Sequence, residues 1–583
     1  MNADDRQPQW RRPYWLLCAT TAALFLLGAL LRSNQIMGQD EISHYYKLVG
    51  LLYHHGYADP AGLITFSPHL YPLSAWALCE ALGRFTPFVL RLCGILYWLG
   101  TIGLLAWLCR PRHNLAGDTQ SISPLWRALP IVLIACMPMA MQAAVIIEID
   151  QTALPFFTLL LCCAVRSYAD RPGWRRAALT ALVLAAALWC RLSTPLLLLP
   201  LFMAYALLLR WRWQRVAGLA LALVAGWAIF HLSWLLYGRL SGVNAAGVFD
   251  YLRRSFGETT VGARAASRGQ HSVLTALYLS FWGLNPYVLL ALAWALWQLL
   301  RGLWRNRRLR TDDLFVLAGL WLLAGYVVVG GALFGFPKYH CPALPLLALG
   351  LIMTGGKAWQ RGEASVAARQ WPTLAACALA TCVLALAAMG DPLHVLRSDL
   401  RIAQAVAEPL RPMLFELALR LAATYGGAAL ILAWAWRWQR AALLPALIAT
   451  ALGINTAMVI RQATAPYATG YIYGDCGETL MVADMIKDNG WSAHDVIVPI
   501  EVSQGLPWAP ERYVAPQNWA ESTAMAQRIS TDQPQMIAVS PLINPVTQLR
   551  VLAEDPALQM ALGDYCQSRI GGRYWLWLRR CPK

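Results

Sequence analysis

The arrangement of the whole chain depends on residues 68–80, PHLYPLSAWALCE, a stretch of moderate hydropathy near the amino terminus. Pro68 and Pro72 interrupt helical hydrogen bonding, and His69 and Glu80 are unfavourable in hydrocarbon. We therefore expect the stretch to lie at a membrane surface and not to cross the membrane. If it crossed, every later arginine-rich loop would lie on the wrong side.

The composition is that of a polytopic membrane protein. Of 583 residues, 58% are hydrophobic and only 14% are charged, which is too apolar for a soluble globule of this length. Crossing the bilayer core takes about 20 residues of helix. Apolar segments predict about thirteen transmembrane helices, near residues 13–31, 88–109, 128–147, 151–166, 177–190, 194–210, 216–237, 272–300, 314–334, 341–356, 371–389, 414–435 and 441–459.

Arginine distribution predicts the orientation of these helices. The amino terminus, with Arg11-Arg12, and alternate loops carry the arginines, and the positive-inside rule places them in the cytoplasm. Residues 32–87 then form one outer loop with interfacial helices. The net charge of +17 does not predict a nucleic-acid partner, because it is spread over many short loops; we expect membrane lipids as the contacts.

The last part of the chain changes character after residue 461. Residues 495–500, 535–540 and 574–578 have the pattern of short strands, and segments near 477–489, 519–530 and 546–567 have helical spacing. We predict a transmembrane domain over residues 1–460 and a small extracytoplasmic α/β domain over residues 461–583. An oxidising compartment would allow one disulfide among Cys476, Cys566 and Cys581, and we favour Cys566–Cys581.

Two acidic turns point to chemistry at the outer face. Asp40 and Glu41 follow the first span and precede Tyr45, and Glu148 and Asp150 lie between two apolar segments. Carboxylates at a membrane mouth can act as a general base for transfer to an acceptor. The alternatives are a solvated interfacial loop for the first turn and an ordinary charged turn for the second.

Cations at the same face could bind a phosphate. Lys338, Tyr339 and His340 precede an apolar helix, and Arg191 follows another, both against the charge bias of the outer loops. Such groups can pair with a lipid-linked phosphate. The alternative is snorkelling of interfacial side chains. The histidines and cysteines show no spacing typical of a metal site, so no metal ligands are predicted.

These motifs, in this order, resemble the GT-C glycosyltransferases, in particular the branch of the protein O-mannosyltransferases and the bacterial lipid A aminoarabinose transferases. The resemblance covers residues 13–356 and rests on Asp40-Glu41 with Tyr45, Pro68-x-x-Tyr71-Pro72, Glu148-x-Asp150 and Lys338-Tyr339-x-x-Pro342. The aminoarabinose branch has Lys-Pro-Pro where this chain has Ser67-Pro68-His69. The resemblance therefore does not extend to the sugar or to the acceptor.

The resemblance implies a polyprenyl-phosphate sugar donor, undecaprenyl-linked in a bacterium, and transfer of a hexosyl or pentosyl group outside the inner membrane. It implies that Asp40 is the catalytic carboxylate, that Asp150 is the second acidic site, and that Lys338 and Tyr339 lie at the donor phosphate; we add Glu41 and Asp150 as catalytic candidates. We add His340, Arg191, Glu148 and Tyr45 as substrate-binding candidates. No cofactor is certain; a divalent cation between Asp40 and Asp150 is compatible with the resemblance, and the sequence does not decide it.

Other classes of protein remain open at this stage. A lipid or glycan transporter or flippase would also have many spans, but it should carry ionisable residues within the helices and show related halves. A non-catalytic assembly subunit, or a polymerase or ligase of the same superfamily, fits the same hydropathy pattern.

Overall fold

The computed structural model describes residues 8–33, 37, 41–56, 67–110, 124–149, 151–257, 280, 283–306, 309–329, 337–359, 364–388, 410–438, 443–464, 477–499, 502, 506, 522–539, 545–570 and 574–580. The chain divides into two compact units. The first comprises Met1–Ser33, His44–Ala388 and Thr424–Ala463, and the second comprises Asn34–Ser43, Met389–Ala423 and Thr464–Lys583. The domain boundaries predicted at residues 460 and 461 stay a prediction.

Up to residue 464 the described chain is helical. The helices are α1 (Pro8–Arg32), α2 (Lys47–His55), α3 (Leu70–Leu82), α4 (Pro87–Cys109), α5 (Pro124–Ala135), α6 (Pro138–Val145), α7 (Ala153–Asp170), α8 (Trp174–Cys190), α9 (Ser193–Leu208), α10 (Trp213–Ser241), α11 (Ala245–Gly257), α12 (Pro286–Asn306), α13 (Asp313–Val329), α14 (Ala343–Trp359), α15 (Ala364–Ala388), α16 (Leu410–Leu421), α17 (Gly427–Trp438) and α18 (Leu443–Thr464). π-Helical turns cover Glu41–Tyr46 and Ala422–Gly426, and a 3₁₀ turn covers Pro337–His340.

Where the structure describes them, the predicted transmembrane segments overlap helices. Within the described residues seven helical segments are long and apolar enough to cross a membrane: Arg12–Arg32, Pro87–Cys109, Ala153–Asp170, Trp213–Ser241, Pro286–Trp304, Ala418–Arg437 and Leu443–Thr464. The other predicted segments are a bent pair, α5 with α6, and shorter helices. The predicted class, a helical membrane protein with a small carboxy-terminal sheet, is confirmed; the count of about thirteen stays a prediction.

A proline explains the bend between α5 and α6. Pro138 is at the start of α6, and the residue before it, Met137, is extended, with φ −85° and ψ 119°. Proline disfavours helical geometry in the preceding residue, so α5 cannot continue into α6. The two helices meet at 61°. Helix α6 ends after eight residues at Val145, which leads directly into the acidic turn at Glu148.

The stretch at residues 68–80 forms most of α3, which has only 13 residues. A helix of that length spans about 20 Å, less than the roughly 30 Å of hydrocarbon in a bilayer. Gly83 ends α3 in the left-handed region, with φ 62°, and its amide donates to the carbonyls of Cys79 and Glu80. The length of α3 agrees with the predicted interfacial helix, and its position at the membrane surface stays a prediction.

Helix α18 is largely buried in the first unit and carries polar side chains. The amide Nδ2 of Asn285 donates to Oδ1 of Asn455 at 3.1 Å. Gln462 donates from Nε2 to Oε1 of Gln142 at 3.2 Å, and the backbone carbonyl of Gln462 accepts a hydrogen bond from the Arg32 guanidinium. Polar groups of α18 thus hydrogen-bond to residues that are distant in the sequence. Facing hydrocarbon, the same groups would have no partner.

The second unit contains a four-stranded sheet in the order β1-β2-β4-β3. The strands are β1 (Val496–Ile497), β2 (Met536–Val539), β3 (Cys566–Ile570) and β4 (Tyr574–Leu578). β1 and β2 are parallel, whereas β4 is antiparallel to both β2 and β3. Around the sheet lie α19 (Gly477–Asp488), α20 (Ser522–Asp532), α21 (Pro545–Glu554) and α22 (Pro556–Ala561). Ile497, Ile537 and Trp575 belong to its buried core.

The predicted helix near residues 546–567 is wrong at its carboxy-terminal end. Asp555 caps α22 by accepting from the amides of Ala557 and Leu558, and Pro556 begins that helix, so the helical pattern restarts there. Helix α22 ends at Ala561, and residues 566–570 form β3. This edge strand alternates between half-buried and exposed residues, a weak period-two signal.

Cys566 is disulfide-bonded. Eleven of the 14 cysteines are free and lie between residues 18 and 382, so the partner is Cys476 or Cys581. Both of these cysteines lie outside the described residues, and the favoured pairing Cys566–Cys581 therefore stays a prediction.

Candidate functional site

Three of the predicted site groups lie outside the described part of the chain. These are Asp40, Asp150 and the side chain of Lys338, whose backbone belongs to the 3₁₀ turn Pro337–His340. The structure describes the other six: Glu41, Tyr45, Glu148, Arg191, Tyr339 and His340. The roles predicted for all nine remain predictions.

The described residues of the first acidic turn include the buried side chains of Glu41 and Tyr45. Glu41 begins the π-helical turn Glu41–Tyr46 and is 1% exposed, which does not fit a solvated loop. Tyr45, in the same turn, is buried and meets the ring of Tyr71 edge-on at 6.1 Å. The Tyr71 hydroxyl in turn donates to the carbonyl of Leu90 at 3.1 Å. The first unit thus holds Tyr45 against α3 and α4.

The second acidic turn is buried and is held by α4. Glu148 is 2% exposed, and its Oε2 accepts a hydrogen bond from Nε2 of Gln151 at 2.6 Å. The backbone carbonyl of Gln151 accepts from the indole of Trp98 at 2.8 Å. A buried, hydrogen-bonded carboxylate is not an ordinary charged surface turn, because such turns are solvated. The turn is a fixed polar element inside an apolar bundle.

Gly94 lets α4 approach this turn closely. A Cβ atom at residue 94 would lie 2.7 Å from the carbonyl oxygen of Ala144 and 2.8 Å from Cγ2 of Thr152. We expect Gly94→Ala to lower stability by about 1–3 kcal/mol, because the backbone of the turn must shift. Gly103→Ala is the matched control on the same helix, since a Cβ there meets no described atom within 4 Å. Alanine normally favours a helix over glycine.

The measurement is the thermal unfolding midpoint of both purified variants in the same detergent. Gly94→Ala should melt several degrees below the wild type, and Gly103→Ala should melt at or slightly above it. Equal midpoints for the two variants would contradict the proposed fit of α4 against the acidic turn.

Arg191 and Tyr339, predicted separately, lie next to each other. Arg191 is extended after the end of α8, and its guanidinium carbon lies 5.6 Å from the centre of the Tyr339 ring. Tyr339 stacks on Tyr326 of α13, with ring centres 5.4 Å apart and planes inclined by 19°. A cation over an aromatic face is attracted to the ring, which helps to hold the guanidinium in position.

Hydroxyl groups surround the same cation. The Arg191 Nε lies 3.4 Å from the Oγ of Ser193, and that Oγ lies 3.2 Å from the Tyr326 hydroxyl. Thr194 Oγ1 is also hydrogen-bonded to the Tyr326 hydroxyl. We name Arg191, Ser193, Thr194, Tyr326 and Tyr339 the arginine–tyrosine cluster. It joins the α8–α9 junction, α13 and the 3₁₀ turn before α14, and it combines one positive charge with several hydroxyl groups.

His340 follows Tyr339 of this cluster in the sequence, and its side chain is fully buried. Neither ring nitrogen has a hydrogen-bond partner in the described part of the chain. Burial lowers the pKa of His340 to about 4, so the imidazole is neutral at physiological pH. A neutral imidazole has one hydrogen-bond donor and one acceptor, whereas a protonated imidazole has two donors and a positive charge. The neutral form therefore suits a hydroxyl-bearing ligand.

Sequence reasoning missed an aromatic cluster around His69. Nδ1 of His69 lies 2.9 Å from the Tyr237 hydroxyl, and its ring meets that of Trp234 edge-on at 5.3 Å. Trp189, two residues before Arg191, packs against Trp234 at 5.2 Å. Burial lowers the pKa of His69 to about 4, so it is a neutral hydrogen-bonding group. The spacing of Trp234 and Tyr237 on α10 was the available signal.

The fold is that of the solved ArnT structures, as the sequence resemblance to the aminoarabinose transferase branch predicted. The crystal structure of ArnT from Cupriavidus metallidurans bound to undecaprenyl phosphate matches with a TM-score of 0.52 and 16% identity, over 97% of both chains. The apo structure of the same protein matches with a TM-score of 0.53 and 15% identity, again over 97% of both. At such identities the likeness establishes the fold alone.

A third structure is that of the archaeal oligosaccharyltransferase AglB from Archaeoglobus fulgidus, in complex with an inhibitory peptide and a dolichol-phosphate. Its TM-score is 0.45, with 11% identity over 98% of this chain and 75% of AglB. No protein-family model matches the sequence, and no curated protein matches it.

Proposed function

We propose that the protein is a glycosyltransferase that moves a sugar from a polyprenyl-phosphate-linked donor to an acceptor outside the cytoplasmic membrane. The observation that carries the proposal is the arginine–tyrosine cluster, a fixed cation with hydroxyl groups in a GT-C fold. A phosphate leaving group needs such a cation. The solved structure of ArnT with undecaprenyl phosphate supports the same donor class.

The proposed reaction is a displacement at the anomeric carbon. The acceptor oxygen or nitrogen forms a bond to this carbon while the bond between the carbon and the phosphate oxygen breaks, and its electron pair remains on the polyprenyl phosphate. Asp40 takes the proton of the acceptor as general base, assisted by Glu41 and Asp150. Arg191 and Lys338 stabilise the charge that develops on the phosphate, and Tyr339 positions the Arg191 guanidinium.

The remaining predicted residues are proposed to orient the sugar. His340 can donate and accept one hydrogen bond each as a neutral ring, and Tyr45 offers a hydroxyl on a packed turn. Glu148 accepts a hydrogen bond from Gln151, so we propose that it maintains the shape and polarity of the acidic turn. Both Asp40 and Asp150 could also ligate a divalent cation; the proposed proton transfer does not depend on one.

We place the protein in the bacterial inner membrane, with its carboxy-terminal domain, residues 461–583, in the periplasm. The disulfide at Cys566 supports this location for the carboxy-terminal domain, because disulfides persist in oxidising compartments and are rare in the cytosol. The apolar helices up to Thr464 support a multi-pass protein.

The function is tested by comparing cell-envelope glycolipids and glycans by mass spectrometry. The strains are the wild type, a deletion, and deletions complemented with the wild-type gene or with Asp40→Asn. We expect one sugar unit to be absent after deletion, restored by the wild-type gene and not by the variant. An identical glycan profile in all strains would refute the proposal.

A second assay separates transfer from transport. The purified protein in liposomes receives polyprenyl-phosphate hexose or pentose donors, and release of free polyprenyl phosphate is measured with envelope extract as acceptor. A transferase releases the carrier in the presence of acceptor. A flippase moves the intact donor across the bilayer and releases none.

A further inference from the structure

One end of the helical bundle has two arginine-rich turns side by side. They are residues 171–176, RPGWRR, at the α7–α8 junction, and residues 210–215, RWRWQR, at the α9–α10 junction. We name them together the arginine–tryptophan face. They contribute six arginines and three tryptophans within twelve residues. Neither the acidic turns nor the arginine–tyrosine cluster includes any residue of this face.

Tyr168 of α7 fixes the two turns to each other. Its hydroxyl donates to the carbonyl of Arg215 at 3.2 Å, and its ring lies 5.9 Å from that of Trp211. Gly218 of α10 allows this approach, since a Cβ there would lie 2.4 Å from the Tyr168 oxygen. The arginines are therefore held close together by the fold and are not gathered by chance conformations of loops.

The six arginines of this face outnumber the carboxylates near it in the described chain, which are Asp170, Asp312 and Asp313. None of the six arginines forms an ion pair there, and the nearby Asp312 is paired with Arg166 at 2.6 Å. Arg176 donates to the backbone carbonyl of Arg171, and Arg175 lies over the ring of Trp174. Five of the six are exposed. Like charges so close repel one another unless an anion lies among them.

The tryptophans indicate where that anion comes from. Trp174 is 76% exposed and Trp213 is 75% exposed, at the ends of apolar helices. Exposed tryptophans at helix ends are typical of the headgroup layer of a membrane, where the ring is apolar and the N–H remains hydrated. A soluble anionic partner would leave both rings in water.

We propose that the arginine–tryptophan face binds anionic phospholipid headgroups. The face combines several cations that the fold holds together with two rings suited to the same layer of the bilayer. Each arginine near an anionic membrane surface contributes about a fivefold increase in affinity. Two adjacent turns can engage two phosphates at once, so a diphosphate lipid such as diphosphatidylglycerol should bind better than phosphatidylglycerol.

The test measures lipid binding to the purified full-length protein by native mass spectrometry. The probes are diphosphatidylglycerol, phosphatidylglycerol, zwitterionic phosphatidylethanolamine and inorganic phosphate. We expect binding in that order, with the last two negligible. The variant Arg175→Gln/Arg212→Gln should bind diphosphatidylglycerol about 25-fold more weakly than the wild type. Inorganic phosphate binding as strongly as the lipids would overturn the proposal, because the site would then be one for free phosphate.

A matched variant removes the same charge elsewhere. Arg301→Gln/Arg437→Gln eliminates two exposed arginines from other helix ends and should leave lipid binding within a factor of about two. Equal losses in the two double variants would mean that diffuse positive charge attracts the lipid, which would refute a defined face. Thermal melting and binding of a polyprenyl-phosphate analogue should be unchanged in both, and these controls separate this proposal from the proposed function.

Discussion

Replacing Asp40 by Asn should reduce sugar transfer by about 10²–10⁴-fold, the usual contribution of a positioned general base. The amide is close in size to the carboxylate but cannot take a proton from the acceptor. Expression and the melting temperature in detergent should stay at wild-type values. The measurement is the initial rate of carrier release by the purified variant at saturating donor.

The control for this variant is Asp484→Asn, which removes one carboxylate from an exposed ion pair with Lys487 in the second unit. Such surface ion pairs contribute little to stability, so this variant should have the turnover rate of the wild type. Glu41→Gln identifies which member of the acidic pair acts, since only the base should show the full loss. Wild-type turnover by Asp40→Asn would remove Asp40 from the mechanism.

The second large effect is expected at Arg191. Arg191→Gln removes the positive charge from the arginine–tyrosine cluster while keeping a polar side chain. A charge-assisted hydrogen bond contributes about 1.5–3 kcal/mol, and about 1.4 kcal/mol corresponds to tenfold. Donor affinity should therefore fall by roughly ten- to a hundredfold, measured as binding of a polyprenyl-phosphate analogue, with little change in acceptor binding.

Two companion variants make this result specific. Arg191→Lys keeps the charge but loses the planar group over Tyr339, so it should recover part of the affinity. Lys338→Met tests the other predicted cation and should show a loss of similar size. If Lys338→Met alone weakens the donor, Arg191 is an interfacial anchor and Lys338 is the phosphate ligand.

Hydropathy and proline positions predicted the helices well. In the described part of the chain the predicted apolar segments overlap helices, because a bilayer imposes both the length and the apolar character of each span. The strand β3 was missed, since Cys566–Ile570 is an edge strand with one half-buried face and follows a helical pattern without a break in polarity. Its place depends on pairing with β4, a contact that local pattern does not encode.

The sequence identified candidate site residues by their type, but it did not predict the contacts between them. Arg191 was a candidate because its charge opposes the bias of the outer loops, and Tyr339 because it follows Lys338. They are 148 residues apart in the sequence, and the packing of α8, α13 and the 3₁₀ turn brings them together. Tyr326, Ser193 and Thr194 gave no signal, because hydroxyl-bearing residues are common in apolar helices. Likewise, the sequence indicated an acidic site at Glu148 but not its burial, which depends on the close approach of α4 at Gly94 and on the hydrogen bond from Trp98.

The polar side chains of α18 also constrain how the protein is made. Asn455 and Gln462 hydrogen-bond Asn285 and Gln142, groups that leave the ribosome more than 150 residues earlier. The first unit therefore cannot complete its internal hydrogen bonding until about four-fifths of the chain has been synthesised. During that interval the earlier helices depend on the insertion machinery, and a chain truncated before Leu443 would present unsatisfied amides to lipid and become a substrate for membrane proteases.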